Sequence, residues 1–202
     1  VELESPILDN SQLVKLANLD NEDFKAAKVA MGFEPEAGLE AGLEDLFARA
    51  EAEIEAGANL IILSDRDLEP GRAPIPSLLA TSGLHNKLIK DRMRNGVDLV
   101  VEAGDAREVM HFALLVGYGA LAVNPYLTLE TISYMSQEGL YLTERPGKVD
   151  KRQRKYIKAA EKGLRKIMSK MGINQRAAIQ DFLSSLQWSF LPDHFYVLFL
   201  PF

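Results

Sequence analysis

Three short apolar runs constrain this chain more than any other feature: Leu60-Ile61-Ile62-Leu63, Asp98-Leu99-Val100-Val101 and Ala120-Leu121-Ala122-Val123. Each is too short for a helix, is rich in β-branched or aliphatic residues, and is bounded by Gly or a charge. Such runs read as strands buried on both faces, the kind found in parallel sheets. Two segments of helical length, 76–94 and 106–118, lie between them. The alternation of strand and helix argues for βαβ units, and so for an α/β fold with a parallel sheet.

The flanking sequence extends this pattern. Residues 11–19 suit a short helix after a turn at Ser5-Pro6, and 28–33 a fourth, weaker strand. In 38–56, Leu39, Leu43, Leu46, Phe47, Ala50 and Ile54 fall at helical spacing, opposite an acidic face (Glu40, Glu44, Asp45, Glu51, Glu53, Glu55). Gly57 sits where a helix C-cap belongs. Asn95-Gly96 predicts the turn that stops the second helix, and Asp105 is expected to cap the third, with Glu108 three residues on. Residues 129–137 predict a further short helix. This α/β core spans 1–147, ending in a Gly- and Pro-containing linker over 139–147.

Residues 148–171 predict a long helix with ten Lys or Arg against two acids, a local balance of +8. The whole chain has 23 basic and 29 acidic groups, so the remainder carries 13 and 27, or −14. Tyr156, Ile157, Ala160, Leu164, Ile167, Met168 and Met171 form an apolar stripe along this helix, which points to a packed helix with a basic outer face. The last 30 residues differ in character: Trp188, Phe190, Phe195, Tyr196, Phe199 and Phe202 crowd the end.

Several function classes drop out. The chain has no Cys, so it holds no disulfide, Cys nucleophile, thiolate zinc site or Cys-ligated cluster. A net charge of −6 argues against a general nucleic-acid binder. No apolar run approaches the roughly 20 residues a membrane-spanning helix needs, and no signal-peptide pattern opens the chain. Three His argue against a His-rich metal site. His85 and His111 lie within predicted helices without a Ser or Cys partner at telling spacing. Gly117-Tyr118-Gly119 ends a helix, whereas phosphate loops begin one.

In βαβ folds, working residues gather beyond the C-terminal ends of the strands. Those positions hold Ser64, Asp65 and Arg66, then Glu102 and Asp105, then Asn124 and Tyr126. On adjacent strands, Asp65, Arg66, Glu102, Asn124 and Tyr126 form a carboxylate-rich pocket with one Arg, suited to a cation or a polar substrate. The plainer reading makes Asp65, Arg66 and Asp67 loop ion pairs and Asp105 a cap.

A set of ordered blocks adds a resemblance: residues 61–66, Ala73-Pro74-Ile75-Pro76-Ser77-Leu78-Leu79-Ala80, Leu99-Val100-Val101-Glu102-Ala103-Gly104-Asp105-Ala106-Arg107-Glu108-Val109, residues 111–120 and Ala122-Val123-Asn124-Pro125-Tyr126. With Leu3-Glu4-Ser5-Pro6-Ile7-Leu8 and the blocks from Tyr156 to Ile173, they resemble the central domain of the glutamate synthase large subunit. The resemblance implies an incomplete (β/α) barrel-like domain, similar in topology to a flavin barrel but without a cofactor of its own. The enzyme so implied converts glutamine, 2-oxoglutarate and a reductant into two glutamates, in the cytoplasm or, in a plant or alga, the plastid stroma. Its FMN and iron–sulfur cluster, and its Cys amidotransferase nucleophile, belong to flanking domains, which become the implied partners of this one. The resemblance carries no catalytic, cofactor-binding or metal-ligating residue onto this sequence.

Departures are visible. His85-Asn86-Lys87 stands where the family has a run of His, and Ala103 and Met110 where it has Ser and a second His. The basic helix of 148–173 leads toward where the flavin domain would begin. The aromatic tail, 174–202, departs from the family; if it is an out-of-frame continuation, it is expected to carry no function. Three roles follow from this reading: a non-catalytic inter-domain piece of glutamate synthase, a stand-alone small-molecule binder using the strand-end groups, or a regulatory module docking to the enzyme through the basic helix. An incomplete barrel exposes strand edges, so self-association is also expected.

Overall fold

The computed structural model describes residues 3, 5–19, 21, 23–66, 68–140 and 149–170, with the backbone alone at 150. Most of the 139–147 linker, Asp67, Met171 and the aromatic tail lie outside the described residues.

Four parallel strands form the sheet in the order β1 (Ala26–Ala30), β3 (Leu60–Ser64), β5 (Asp98–Glu102), β6 (Ala122–Asn124). Each strand lies beside the next in the series, so the sheet is wound in one direction, as in a barrel. Helices α2 (Leu39–Glu55), α3 (Ser77–Lys90) and α4 (Val109–Gly117) make the crossovers. They cover one face, where Leu46, Ala50, Leu84, Leu88, Phe112 and Leu115 pack on Val29, Ile61, Leu63, Leu99, Val101 and Val123. The other face carries a smaller cluster. There α1 (Asn10–Ala17) lays Leu13 and Leu16 over Leu60, Ile62, Val100 and Ala122. Both faces of β3 are therefore covered and all five of its residues are buried, which explains its continuous apolar sequence. The fold is α/β, as the alternation predicts, in an incomplete barrel-like arrangement.

Several boundaries differ from the sequence expectation. The strand expected over 28–33 breaks at Met31. β1 starts earlier, and β2 (Gly32–Phe33) turns away to pair antiparallel with β4 (Ala73–Pro74). Gly32 permits this, since a Cβ there would lie 2.8 Å from Leu68 Cδ2. α3 stops at Lys90, not at residue 94, because Arg92 takes the left-handed conformation (φ 61°) and a 3-10 turn, Arg94–Gly96, follows. The fifth helix, α5 (Tyr126–Gln137), begins directly after Pro125. α4 begins three residues later than expected. Asp105 does not cap it; Glu108 does, in a reciprocal arrangement with His111.

The N-terminal segment closes one edge. Val123 N donates to Pro6 O (2.8 Å) and Leu8 N to Val123 O (2.9 Å), so residues 6–8 pair along the outer side of β6. Helix α6 (Val149–Lys170) packs beyond this edge, against α4 and α5. Ala160 and Leu164 are buried, and Tyr156 meets Phe112 edge-on and donates its hydroxyl to Arg107 O at 2.9 Å. A Cβ at Gly163 would lie 2.5 Å from Val109 Cγ2, so the approach of α6 to α4 depends on this glycine.

Candidate functional site

Ser64, Glu102 and Asn124 end their strands as register partners, which places them in one row on the α1-covered face. Parallel pairing sets this row directly, because side chains alternate faces along each strand. Glu102 is its centre and is buried, 3% exposed. Its Oε2 accepts from Ser64 Oγ at 2.6 Å and pairs with Lys28 Nζ at 2.8 Å. Its Oε1 faces Arg66 Nη1 at 3.4 Å. Burial alone would raise this carboxyl. The Lys28 and Ser64 hydrogen bonds, with the charges of Lys28 and Arg66, outweigh it and hold the pKa below its ordinary value.

Arg66 spans the site. Its guanidinium also pairs with Glu130 on α5 and stacks over the Tyr126 ring, 5.0 Å from the centroid. Asp65 turns the other way and accepts from Gly104 N with both oxygens, at 3.0 Å each. Burial raises its pKa, and the Asp105 charge adds to this. Tyr126 is bonded to Asp65; burial and that carboxylate push its phenol up to about 12. Gly104 is small for a reason: a Cβ there would lie 3.1 Å from Tyr126 Oη and 3.5 Å from Asp65 Oδ2.

The structure thus brings Ser64, Asp65, Arg66, Glu102 and Tyr126 together. The side chains of the other two named residues, though close by, hydrogen-bond to neighbouring segments. Asp105 accepts from Ser77 N (3.1 Å) and Ser77 Oγ (2.6 Å), so it secures the first turn of α3. Asn124 Nδ2 donates to Leu8 O and to Asn10 Oδ1, at 3.0 Å each, and binds the N-terminal segment. Its Oδ1 is buried without a hydrogen-bond partner. Two contributors escaped the sequence reading. Lys28 shares the parity of Ile62 and Ser64 across the sheet, and Glu130 stands one helical turn after Tyr126. Both signals exist in the sequence but acquire meaning only once register is known.

Chemically, this is a set of groups that hold one another. Glu102 stays ionised between two cations, and Tyr126 keeps its proton. No group of three or more metal-ligating side chains is found among the described residues. His85 sits at the opposite end of the sheet. Its Nδ1 accepts from Arg94 Nε at 3.0 Å, and Arg94 Nη2 donates to Gly119 O at 3.0 Å. Burial, with the Arg94 charge, lowers its pKa to about 4. That end of a parallel barrel-like fold serves stability more than chemistry. Among the described residues no helix is long and apolar enough to cross a membrane.

Singly wound parallel strands, outer helices and a self-paired strand-end cluster define a barrel-like α/β domain. The family is specific: residues 1–180 match the model of the glutamate synthase central domain, and the chain belongs to that family. It is 42% identical over 174 residues to the glutamate synthase [NADPH] large chain of Bacillus subtilis, covering 86% of this chain and 11% of that one. It is 36% identical to the glutamate synthase [NADH] of Schizosaccharomyces pombe, over 85% of this chain and 8% of the relative. With the chloroplastic ferredoxin-dependent enzyme of Oryza sativa the figures are 37%, 86% and 11%. The chain therefore spans only a small part of each of these relatives.

Proposed function

We propose that this chain serves as the non-catalytic central part of a glutamate synthase. In this reading it holds the glutamine amidotransferase and FMN-binding parts of the enzyme in fixed relation. The whole enzyme then makes two glutamates from glutamine, 2-oxoglutarate and a reductant. The Cys nucleophile, the FMN and the iron–sulfur cluster belong to those other parts, since this sequence contains no Cys to supply a nucleophile or cluster ligands.

The observation that carries the reading is the state of the strand ends, where a barrel-like fold would place a ligand. Glu102 is engaged by Ser64, Lys28 and Arg66, and Asp65 by Gly104 and Tyr126. These contacts tie β1, β3, β5 and α5 to one another. That suits a rigid spacer better than a pocket whose polar groups await a substrate.

The test is a pair of titrations on the full chain, with FMN and with 2-oxoglutarate, repeated on Glu102→Gln and Arg66→Ala. A spacer gives no saturable binding in either titration, and both substitutions lower its melting temperature. Saturable binding by the parent chain, lost in the variants, would replace this reading with a small-molecule binder.

A further inference from the structure

Two helices toward opposite edges of the sheet carry opposite charge. α6 exposes Lys151, Arg154, Lys158, Lys162, Arg165 and Lys170. They run along the outer side of a helix 22 residues long, about 33 Å at the usual helical rise. Its inner side is taken up by packing on α4 and α5. α2 exposes Glu40, Glu44, Glu53 and Glu55, and Glu34 and Glu36 lie exposed in the turn before it. The only basic residue on α2, Arg49, is engaged by Asp45 and by Ala30 O.

These faces cannot neutralise each other within one chain. α2 packs on β1, β3 and α3, while α6 lies past β6 on α4 and α5. Ala41, Ala48 and Ala52 of α2, and Ala56 just past its end, are exposed as well. Small side chains there let the aliphatic stems of Lys and Arg lie flat against the helix while their heads reach the carboxylates. α2 is 17 residues long, about 26 Å, so the two charged stripes match in length within two helical turns.

We propose that the basic face of α6 docks on the acidic face of α2 in a second copy of this chain, head to tail. The strand edge next to α6 is not available for the alternative route, because residues 6–8 already pair along β6. The contact joins two different surfaces, so each dimer keeps one free α2 face and one free α6 face. Assembly therefore continues with concentration and does not stop at two.

The experiment is sedimentation velocity on the full 202-residue chain across a concentration series. Raising salt from about 20 mM to about 300 mM shortens the screening length from about 20 Å to about 6 Å. Association is expected at low salt, with a constant that falls at least tenfold or so at high salt. Two triple variants follow: Lys158→Glu, Lys162→Glu, Arg165→Glu on α6, and Glu40→Lys, Glu44→Lys, Glu55→Lys on α2. All six sites are exposed, and circular dichroism verifies the fold of each variant. Each variant alone is expected to stay monomeric at low salt, and an equimolar mixture to associate again. A chain that stays monomeric at low salt overturns the proposal. So does association that ignores salt or both reversals, or a mixture that fails to recover it.

Discussion

His85 provides a pH dependence with a definite sign. The ring is 8% exposed, between α3, the Arg94 turn and Gly119. Burial, then the charge of Arg94, lowers its pKa from an ordinary 6.5 to about 4. The unfolded chain binds the proton more readily than the folded one, so folding is favoured by deprotonation. The contribution is fully present above pH 6.5 and is lost as pH falls toward 4. At about 1.4 kcal/mol per pH unit the full effect is roughly 3.4 kcal/mol below both values, and roughly 2 kcal/mol at pH 5. That is a large share of the 5–15 or so kcal/mol typical of a folded domain. The assay is urea unfolding of the parent chain and of His85→Gln, followed by circular dichroism between about pH 8 and about pH 5. His111 and His194 are present in both chains, so their titrations cancel in the difference. The parent should lose roughly 2 kcal/mol more than the variant over this range. Parallel profiles for the two chains, or an imidazole resonance of His85 titrating near 6.5, would refute the reasoning.

Three further outcomes are expected. Gly119→Ala should lower stability by more than about 2 kcal/mol in the same assay, because it combines φ 115° with a Cβ placed 2.4 Å from His85 Nδ1. Glu102→Gln should cost about 1–3 kcal/mol in thermal or urea unfolding, since it removes the charge that Lys28 and Arg66 share; an unchanged midpoint would show the cluster to be ornamental. Gly163→Ala sets two effects in opposition: helix propensity favours Ala by about 1 kcal/mol, but all three side-chain carbons of Val109 lie within 3.2 Å of the new methyl. The clash should win and loosen α6, seen as faster proteolysis at its Lys and Arg residues; a more protected α6 would contradict the packing.

The parts of the fold that were legible in the sequence are those fixed by local pattern. Leu60–Ser64 and Asp98–Glu102 emerge at the expected places because burial on both faces imposes an unbroken apolar run. The basic helix emerges because its apolar stripe repeats at helical spacing over many turns. Gly57 ends α2 with φ 95°, as a C-cap glycine should. What escaped depends on which distant group claims a side chain first. Asp105 has every local attribute of an N-cap, yet Ser77, 28 residues earlier, takes its carboxylate, and α4 starts at the next competent acid, Glu108. Lys28 looks like a solvent-facing strand residue until β1 is set beside β3, when its ammonium reaches past β3 to Glu102. The strand-end rule brought Asp65, Arg66, Glu102 and Tyr126 to one place, but it is silent on whether they point at a ligand or at each other. That question turns on the count of cations against carboxylates within reach. Lys28 pairs with Glu102, Arg66 bridges Glu102 and Glu130, and Asp65 is satisfied by Gly104 and Tyr126, so the cluster closes on itself. A barrel-like sheet that keeps its strand-end carboxylates but supplies each with an internal partner has the geometry of a binding fold, and that internal pairing is what supports the proposed role as a brace.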